Sequence, residues 1–212
     1  MRRPELLVLA GVHGAGKSSV VGSRLLKAGG RFFNPDEYAH TLLPAAPGAA
    51  SDDISRRAWE YGRGLLARAI ERRRDFAIET TLGGRTIPAL LMAAARTHDV
   101  HVLFMGLDSV ERHLRRVADR VRAGGHDIPE SLLRARFTSS RLHLIELVPV
   151  LAGLTLYDNS IESAVHSGER ARPRRLLAVR GRSIAFEVTR DAMPNWAKPI
   201  VQAARDAARA PR

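Results

Sequence analysis

A doubly wound α/β domain, with a mostly parallel sheet of about five strands and a small C-terminal β-hairpin and helix, is the fold this sequence predicts. Three observations carry it. Short apolar runs alternate with longer stretches of helical periodicity; a Gly-rich turn, Gly11-Val12-His13-Gly14-Ala15-Gly16-Lys17-Ser18, joins the first run to the first helical stretch; and the alternation stops after Asn159. Apolar runs buried on both faces belong to parallel sheets, and their alternation with helices is the signature of β-α-β winding.

Leu6 to Ala10, Phe32-Phe33, Phe76 to Glu79, Val100 to Leu107 and Leu154 to Tyr157 are the five runs, each bounded by Gly, Asp or Asn. Their length is that of strands. Between them, Lys17 to Ala28, Asp52 to Arg74, Ile87 to Thr97, Ser109 to Ala123 and Pro129 to Leu151 repeat apolar residues at helical spacing. Ser51 is placed to cap the second of these helices, Asp108 and Glu111 have the spacing of a capping box, and Gly124-Gly125 ends the fourth. Pro- and Gly-containing stretches over 43–48 and 123–128 read as loops. In the tail, Leu176 to Val179 and Ile184 to Val188 flank Arg180-Gly181-Arg182 as an antiparallel hairpin, followed by a helix from about Pro194 to Ala210. The whole chain, 1–212, is expected to be one domain, with 161–212 an appendage to it.

Composition narrows the function classes. At 45% apolar residues the chain can bury one ordinary core, and it lacks both a run of membrane-spanning length and the pattern of a secretory signal. No cysteine is present, which excludes a disulfide framework and a thiolate metal site and fits a reducing cytoplasm. The net charge of +12 comes from 31 arginines and only three lysines (Lys17, Lys27, Lys198), most of the arginines spread along helices. That distribution reads as solvated faces, so a nucleic-acid partner is not expected and a membrane is excluded.

The turn matches G-x-x-x-x-G-K-[ST], a pattern with about 0.002 chance matches expected in a chain of this composition. Its glycines allow backbone N–H groups to converge on phosphate oxygens at a helix N-terminus. Gly11, His13, Gly14, Ala15, Gly16, Lys17, Ser18 and Ser19 are therefore expected to hold a nucleotide, with Lys17 on the β and γ phosphates and the Ser18 hydroxyl on Mg²⁺. No Asn-Lys-x-Asp guanine motif occurs, and the chain is short for a motor ATPase.

Acids at strand ends line the ligand crevice of such a sheet. Asp36, after the second run, is the candidate to accept a hydroxyl proton in line with the γ phosphate, its other role being a helix N-cap. Glu79 is either a magnesium-side acid or an acceptor contact. Asp108 reads as a cap, and Asp158 as a magnesium-side acid or a turn residue. Arg116 and Arg120, four apart on one helix face beside Gly124-Gly125, resemble a lid, with Arg134 and Arg136 facing the same gap; Arg120 and Arg136 stand out among them.

In order behind the turn, Phe33-Asn34-Pro35-Asp36-Glu37, Ile78-Glu79-Thr80-Thr81-Leu82, Phe104 to Asp108 through Arg120 to Gly125-His126-Asp127-Ile128-Pro129, and Tyr157-Asp158-Asn159-Ser160 resemble the zeta toxin family of P-loop kinases over about residues 5 to 160. The resemblance implies ATP- and Mg²⁺-dependent phosphorylation of a hydroxyl, in the best-known members the sugar 3′-hydroxyl of UDP-N-acetylglucosamine, and silencing by an antitoxin. It implies Lys17 and Ser18 as phosphate and magnesium contacts, Asp36 as general base, Glu79 and Thr81 as acceptor contacts, and Arg120 and Arg136 as stabilisers of the transferring group. Where those toxins read Glu-Gly-Thr-x-Arg, this chain has Glu79-Thr80-Thr81-Leu82-Gly83, with its nearest arginine at Arg85, the third acceptor candidate. The alternative reading is a P-loop regulatory or nucleic-acid-associated protein, including a polynucleotide 5′-hydroxyl kinase.

Overall fold

The computed structural model describes residues 2–17, 32–42, 51–122, 127–161 and 173–211. Six strands form one sheet: β1 (Glu5–Ala10), β2 (Phe76–Thr80), β3 (Asp99–Gly106), β4 (Gly153–Asp158), β5 (Arg174–Arg180) and β6 (Ser183–Glu187). Among the described residues six α-helices accompany it: α1 (Pro35–Leu42), α2 (Ser51–Glu71), α3 (Thr86–Ala94), α4 (Val110–Arg122), α5 (Glu130–Leu147) and α6 (Lys198–Arg209). None of these helices is long and apolar enough to cross a membrane. The helix expected over 18–28, the 43–48 loop and the Gly124-Gly125 stop lie outside the described residues.

The sheet runs β2-β1-β3-β4-β5-β6, with the first four strands parallel and β5 and β6 antiparallel. With β2 on one side of β1 and β3 on the other, the connections leaving β1 and β2 diverge, which opens a crevice at the strands' carboxyl ends. One expectation changes here. Phe32-Phe33 is not a strand: Phe33 makes a single parallel bridge to Ile78, its N–H donating to Ala77 O and its carbonyl accepting from Glu79 N, both at 2.8 Å. The expected hairpin is present, and β5 pairs along β4 from Gly153 to Asp158, so that β5 and β6 extend the sheet to six strands.

One core cluster spans the strands and the tail. Val8, Phe104, Leu156 and Leu177 from four neighbouring strands share it with Leu91 of α3, Leu144 of α5 and Ile200 of α6. The helices follow from the same burial. In α2, Ile54, Ala58, Gly62 and Leu66 recur every four residues on the buried face, and Asp52 and Asp53 favour the helix N-terminus through its dipole.

Caps differ from the sequence reading. Asn34, not Asp36, caps α1: its Oδ1 accepts from the N–H groups of Asp36 (3.0 Å) and Glu37 (3.4 Å). Ser109 caps α4, its Oγ accepting from Arg112 N at 3.2 Å, while Asp108 takes the Arg112 side chain at 2.8 Å instead. In both cases the cap is the residue immediately before the first helical turn.

Candidate active site

The Gly-rich turn leaves β1 with Gly11 at φ 131°, where a Cβ would stand 2.1 Å from Met105 O, so only glycine lets the chain turn this closely against β3. Lys17 then folds back over the loop. Its Nζ donates to Val12 O at 3.1 Å and lies 3.5 Å from Glu79 Oε1, both side chains being buried. Burial pushes the Lys17 ammonium down from its ordinary range, opposed chiefly by Glu79 and then Asp36. From the other side the loop is braced by Asn159, whose Nδ2 donates to Ala15 O at 2.9 Å, and by Arg116, which donates to Asn159 O (2.8 Å) and Gly14 O (3.4 Å).

Beside the loop opens a crevice of about 1240 Å³, lined by residues of the loop, α1, α2, the end of β2, α4 and α5. That volume exceeds the usual range for one small ligand. Lys17, Asp36, Glu79, Thr81, Arg120, Arg136 and His13 all line it. Asp36 lies in the first turn of α1, half-exposed, with its Oδ2 3.1 Å from Nη1 of Arg120 in the last turn of α4. Arg136 comes from the second turn of α5, and burial lowers its pKa against the pull of Asp36. Three cations and two carboxylates thus converge on one space. They also hold His13 neutral: its pKa lies well below the ordinary value through burial first, then through Lys17, Arg136 and Arg120. Thr81 Oγ1 accepts from Gly83 N at 3.2 Å, which leaves its own O–H free to donate into the crevice.

Other sequence candidates fall elsewhere. Arg85 sits at the N-cap position of α3 and is exposed, outside the crevice lining. Asp158 is buried and taken up by Ser160, whose N–H donates at 3.1 Å, with Arg174 4.0 Å away; Ser160 Oγ in turn bonds both Asp158 and Asp108 N. This carboxylate fixes a turn. Arg116 braces the loop rather than sharing the crevice with Arg120, and Arg134 pairs with Glu130 and Glu111 on the surface. Ser18, Ser19 and His126 lie outside the described residues.

Sequence reasoning missed the part of the crevice lined by α2. Asp52, Ser55, Arg56, Trp59 and Arg63 line the crevice from one stripe of α2, and Leu132 faces it from α5. Helical spacing was the available signal: Asp52, Ser55, Arg56, Trp59 and Arg63 fall on one side of α2, beside Ile54 and Gly62, which also reach the lining. For the loop-bracing pair the sequence offered other readings, Asn159 as a nucleotide-side loop or turn residue and Arg116 as part of a lid.

A nucleoside triphosphate fits these residues, because the turned glycines, the buried Lys17 and the two arginines supply positive potential on one side of the loop. A magnesium ion fits less directly: the described residues contain no cluster of three or more His, Cys, Asp or Glu able to hold a metal. Mg²⁺ commonly needs only one or two protein oxygens beside substrate phosphates and water, and of the carboxylates that line the crevice, Asp36, Asp52, Glu79 and Asp127, Glu79 is the one paired with Lys17 of the loop.

The chain is similar to known proteins in sequence and in fold. The family profile described as Zeta toxin matches residues 1–168. An uncharacterized protein of Haemophilus influenzae is 32% identical over 128 residues, 60% of this chain and 88% of that protein. Among solved structures, the AvrRxo1-ORF1:-ORF2 complex with ATP superposes with a TM-score of 0.65 at 15% identity over 96% of this chain. This chain spans only 64% of that one's length. The structure of the PezAT chromosomal toxin–antitoxin system of Streptococcus pneumoniae superposes with a TM-score of 0.54 at 14% identity, covering 97% of this chain and 86% of that one. At these identities the solved structures establish the fold.

Proposed function

The chain belongs to the zeta toxin family, and on that premise we propose that it is an ATP- and Mg²⁺-dependent kinase that transfers the γ-phosphate to a hydroxyl group of a nucleotide sugar, of which UDP-N-acetylglucosamine is the leading candidate. The observation that carries the reading is the convergence of Lys17, Asp36, Glu79, Arg120 and Arg136 on one crevice beside the phosphate loop. A switch protein needs the loop and lysine; it has no need of a carboxylate and two arginines around the same space.

In this reading Lys17 and the loop N–H groups hold the triphosphate, and Mg²⁺, when bound with it, neutralises charge on the β and γ oxygens. Glu79 and the Thr81 hydroxyl orient the acceptor. Asp36 accepts the acceptor's O–H proton as the oxygen bonds to the γ-phosphorus and the bond to the β-bridging oxygen breaks, releasing ADP. Arg120 and Arg136 stabilise the charge on the transferring phosphoryl group. Arg120 pairs with Asp36, so a shift of its guanidinium onto the phosphoryl group frees the base when it is needed. Family membership, with the likeness to a toxin–antitoxin system, also supports a partner protein that silences the activity.

The test is ATP consumption by the purified chain with Mg²⁺, screened against UDP-sugars, nucleosides and 5′-hydroxyl oligonucleotides. Turnover dependent on a UDP-sugar supports the reading. Turnover only with the oligonucleotide moves the acceptor to nucleic acid, and ATP binding without turnover on any hydroxyl contradicts the kinase.

A further inference from the structure

The parallel strands all start at the end of the sheet opposite the crevice, and their register gathers there arginines that the sequence scatters. Leu6 pairs with Phe76, Glu5 with Asp99 and His101 with Gly153, while antiparallel β5 brings Arg180 beside Gly153. Arg72, Arg73 and Arg74 lead into β2 and Arg96 leads into β3; with Arg180 these five are exposed. At about 4.8 Å between neighbouring strands, the order β2-β1-β3-β4-β5 sets them out along a line of roughly 20 Å. The nearby carboxylates are engaged elsewhere: Glu5 and Asp75 hold Arg2, and Asp99 holds Arg3. Among the described residues none of the five makes an ion pair, and of the acids flanking these strand starts only Glu71 is unpaired. Arg73 supplies a second observation. It stands at φ 50° just past α2, where its N–H donates to Ile70 O (3.2 Å) and that of Arg74 to Ala69 O (2.9 Å). Glycine is the ordinary residue at this helix stop, because a Cβ is disfavoured in the left-handed region. A single cation after the helix would offset its dipole; three in succession, the middle one against its backbone preference, exceed that need.

We propose that this end of the sheet is a docking surface for the phosphate backbone of double-stranded nucleic acid, bound without regard to sequence. Guanidinium groups make bidentate contacts to phosphate, and a row of roughly 20 Å spans about six base pairs. A duplex suits the surface better than a single strand, because the exposed aromatic side chains among the described residues, Trp59 and Tyr61, belong to the middle of α2 and leave nothing here to stack on an unpaired base. The same lack disfavours a lipid surface: Met92 and Val150, the exposed large apolar side chains just before β3 and β4, provide no aromatic ring or leucine to insert. The surface lies at the far end of the sheet from Lys17 and the crevice, so it stands independently of the kinase reading. The even spread of arginine along the sequence reads as solvated faces, and the sheet register is what turns part of it into a row.

The experiment is fluorescence anisotropy of a labelled duplex of about 20 base pairs and mixed sequence, titrated with the full chain from about 50 to 200 mM salt. Binding is expected with a slope of log K against log salt of about −4 to −5, the value for five phosphate contacts. Arg72→Ser/Arg73→Gly/Arg74→Ser is expected to reduce that slope by about three and to weaken binding at about 100 mM salt by roughly tenfold or more. Its melting temperature is expected to hold or rise, since glycine suits residue 73. A second variant at the other strand starts, Arg96→Ser/Arg180→Ser, is expected to reduce the slope by about two, so the result does not hang on one turn. As the control, Arg57→Ser/Arg115→Ser/Arg190→Ser removes the same charge from exposed positions away from this end and is expected to leave the slope within about one unit of wild type. The proposal is overturned if the duplex does not bind at about 100 mM salt, or if the control loses as much as the first variant, which would make bulk charge the cause. It is equally overturned if the first variant binds the duplex like wild type but loses binding to phosphatidylcholine–phosphatidylserine vesicles, which would make the surface one for lipid.

Discussion

Lys17 is a buried ammonium whose two recorded contacts, Val12 O and Glu79, do not fully replace its lost hydration. Polyphosphate oxygens would supply that replacement, which is why the residue belongs to ligand binding more than to the core. Lys17→Met, which keeps the volume, is expected to abolish phosphoryl transfer and weaken ATP binding in calorimetry, with little change in melting temperature. For Arg120 and Arg136, Ala substitution is expected to lower kcat more than it raises KM, since their charge matters most as the phosphoryl group transfers; equal losses from Arg115→Ala would show that bulk charge alone is at work. His113 of α4 is fully buried, neither ring nitrogen has a hydrogen-bond partner among the described residues, and its ring stacks on Phe137 at 6.0 Å. Burial, then Lys17, Arg120 and Arg136, push its pKa down to about 4, so the unfolded chain takes up a proton at a higher pH than the folded one. Its neutral burial therefore stabilises fully above about pH 6.5, and this contribution is lost as pH falls toward 4, by at most about 3 kcal/mol. Urea midpoints measured from pH 7.5 to 4.5 should fall more steeply for wild type than for His113→Phe, and parallel curves would contradict this.

Among the elements, α2 shows how far sequence reasoning reached and where it stopped. Its span was legible because apolar residues repeat every four positions, and that repeat fixes the buried face. Its function was not, because a polar stripe reads as solvent until another element is known to stand opposite it. Gly62 joins the two faces: a Cβ there would lie 2.3 Å from the ring of Phe33, which is itself packed against Tyr38 and Tyr61. Gly62→Ala is expected to destabilise by about 1–3 kcal/mol in chemical denaturation, through displacement of that ring and of α1, which carries Asp36. A neutral or stabilising change would mean that Phe33 moves aside freely. The cap of α4, read as Asp108 and found to be Ser109, has a related cause: two side chains of capping type stand side by side, and only the backbone decides which is at the boundary, as it also decides for Asn34 over Asp36. The same holds for Arg116 and Arg120, which share a helix face by spacing and diverge in space, one to Asn159 and the other to Asp36.

For the whole molecule, the strand sequence and the loop were legible because burial on both faces leaves continuous apolar runs, while the tail's place was hidden by its irregular start. The tail does not hang from the sheet. Leu176 and Leu177 of β5, Trp196, and Ile200 and Val201 of α6 are buried in the same cluster as the parallel strands. At about 1.5–3 kcal/mol for each large apolar side chain, this burial is comparable to the net stability of a domain. We therefore propose one cooperative unit over the chain: truncation at residue 161 is expected to give an unfolded or aggregating protein, and a truncated chain with a sharp melting transition would make the tail a separable part. The sheet so completed holds the crevice in which Asp36 faces Lys17 and the arginines. The most direct test of the kinase compares wild type with Asp36→Asn for phosphoryl transfer from ATP to UDP-N-acetylglucosamine, with ATP binding measured on the same samples. Because Asn34, not Asp36, is the cap, the substitution removes the proton acceptor and spares the helix start. The expected result is unchanged ATP affinity with transfer reduced by roughly 10²-fold or more; transfer undiminished in the variant, or absent from the wild type with every hydroxyl acceptor, contradicts it.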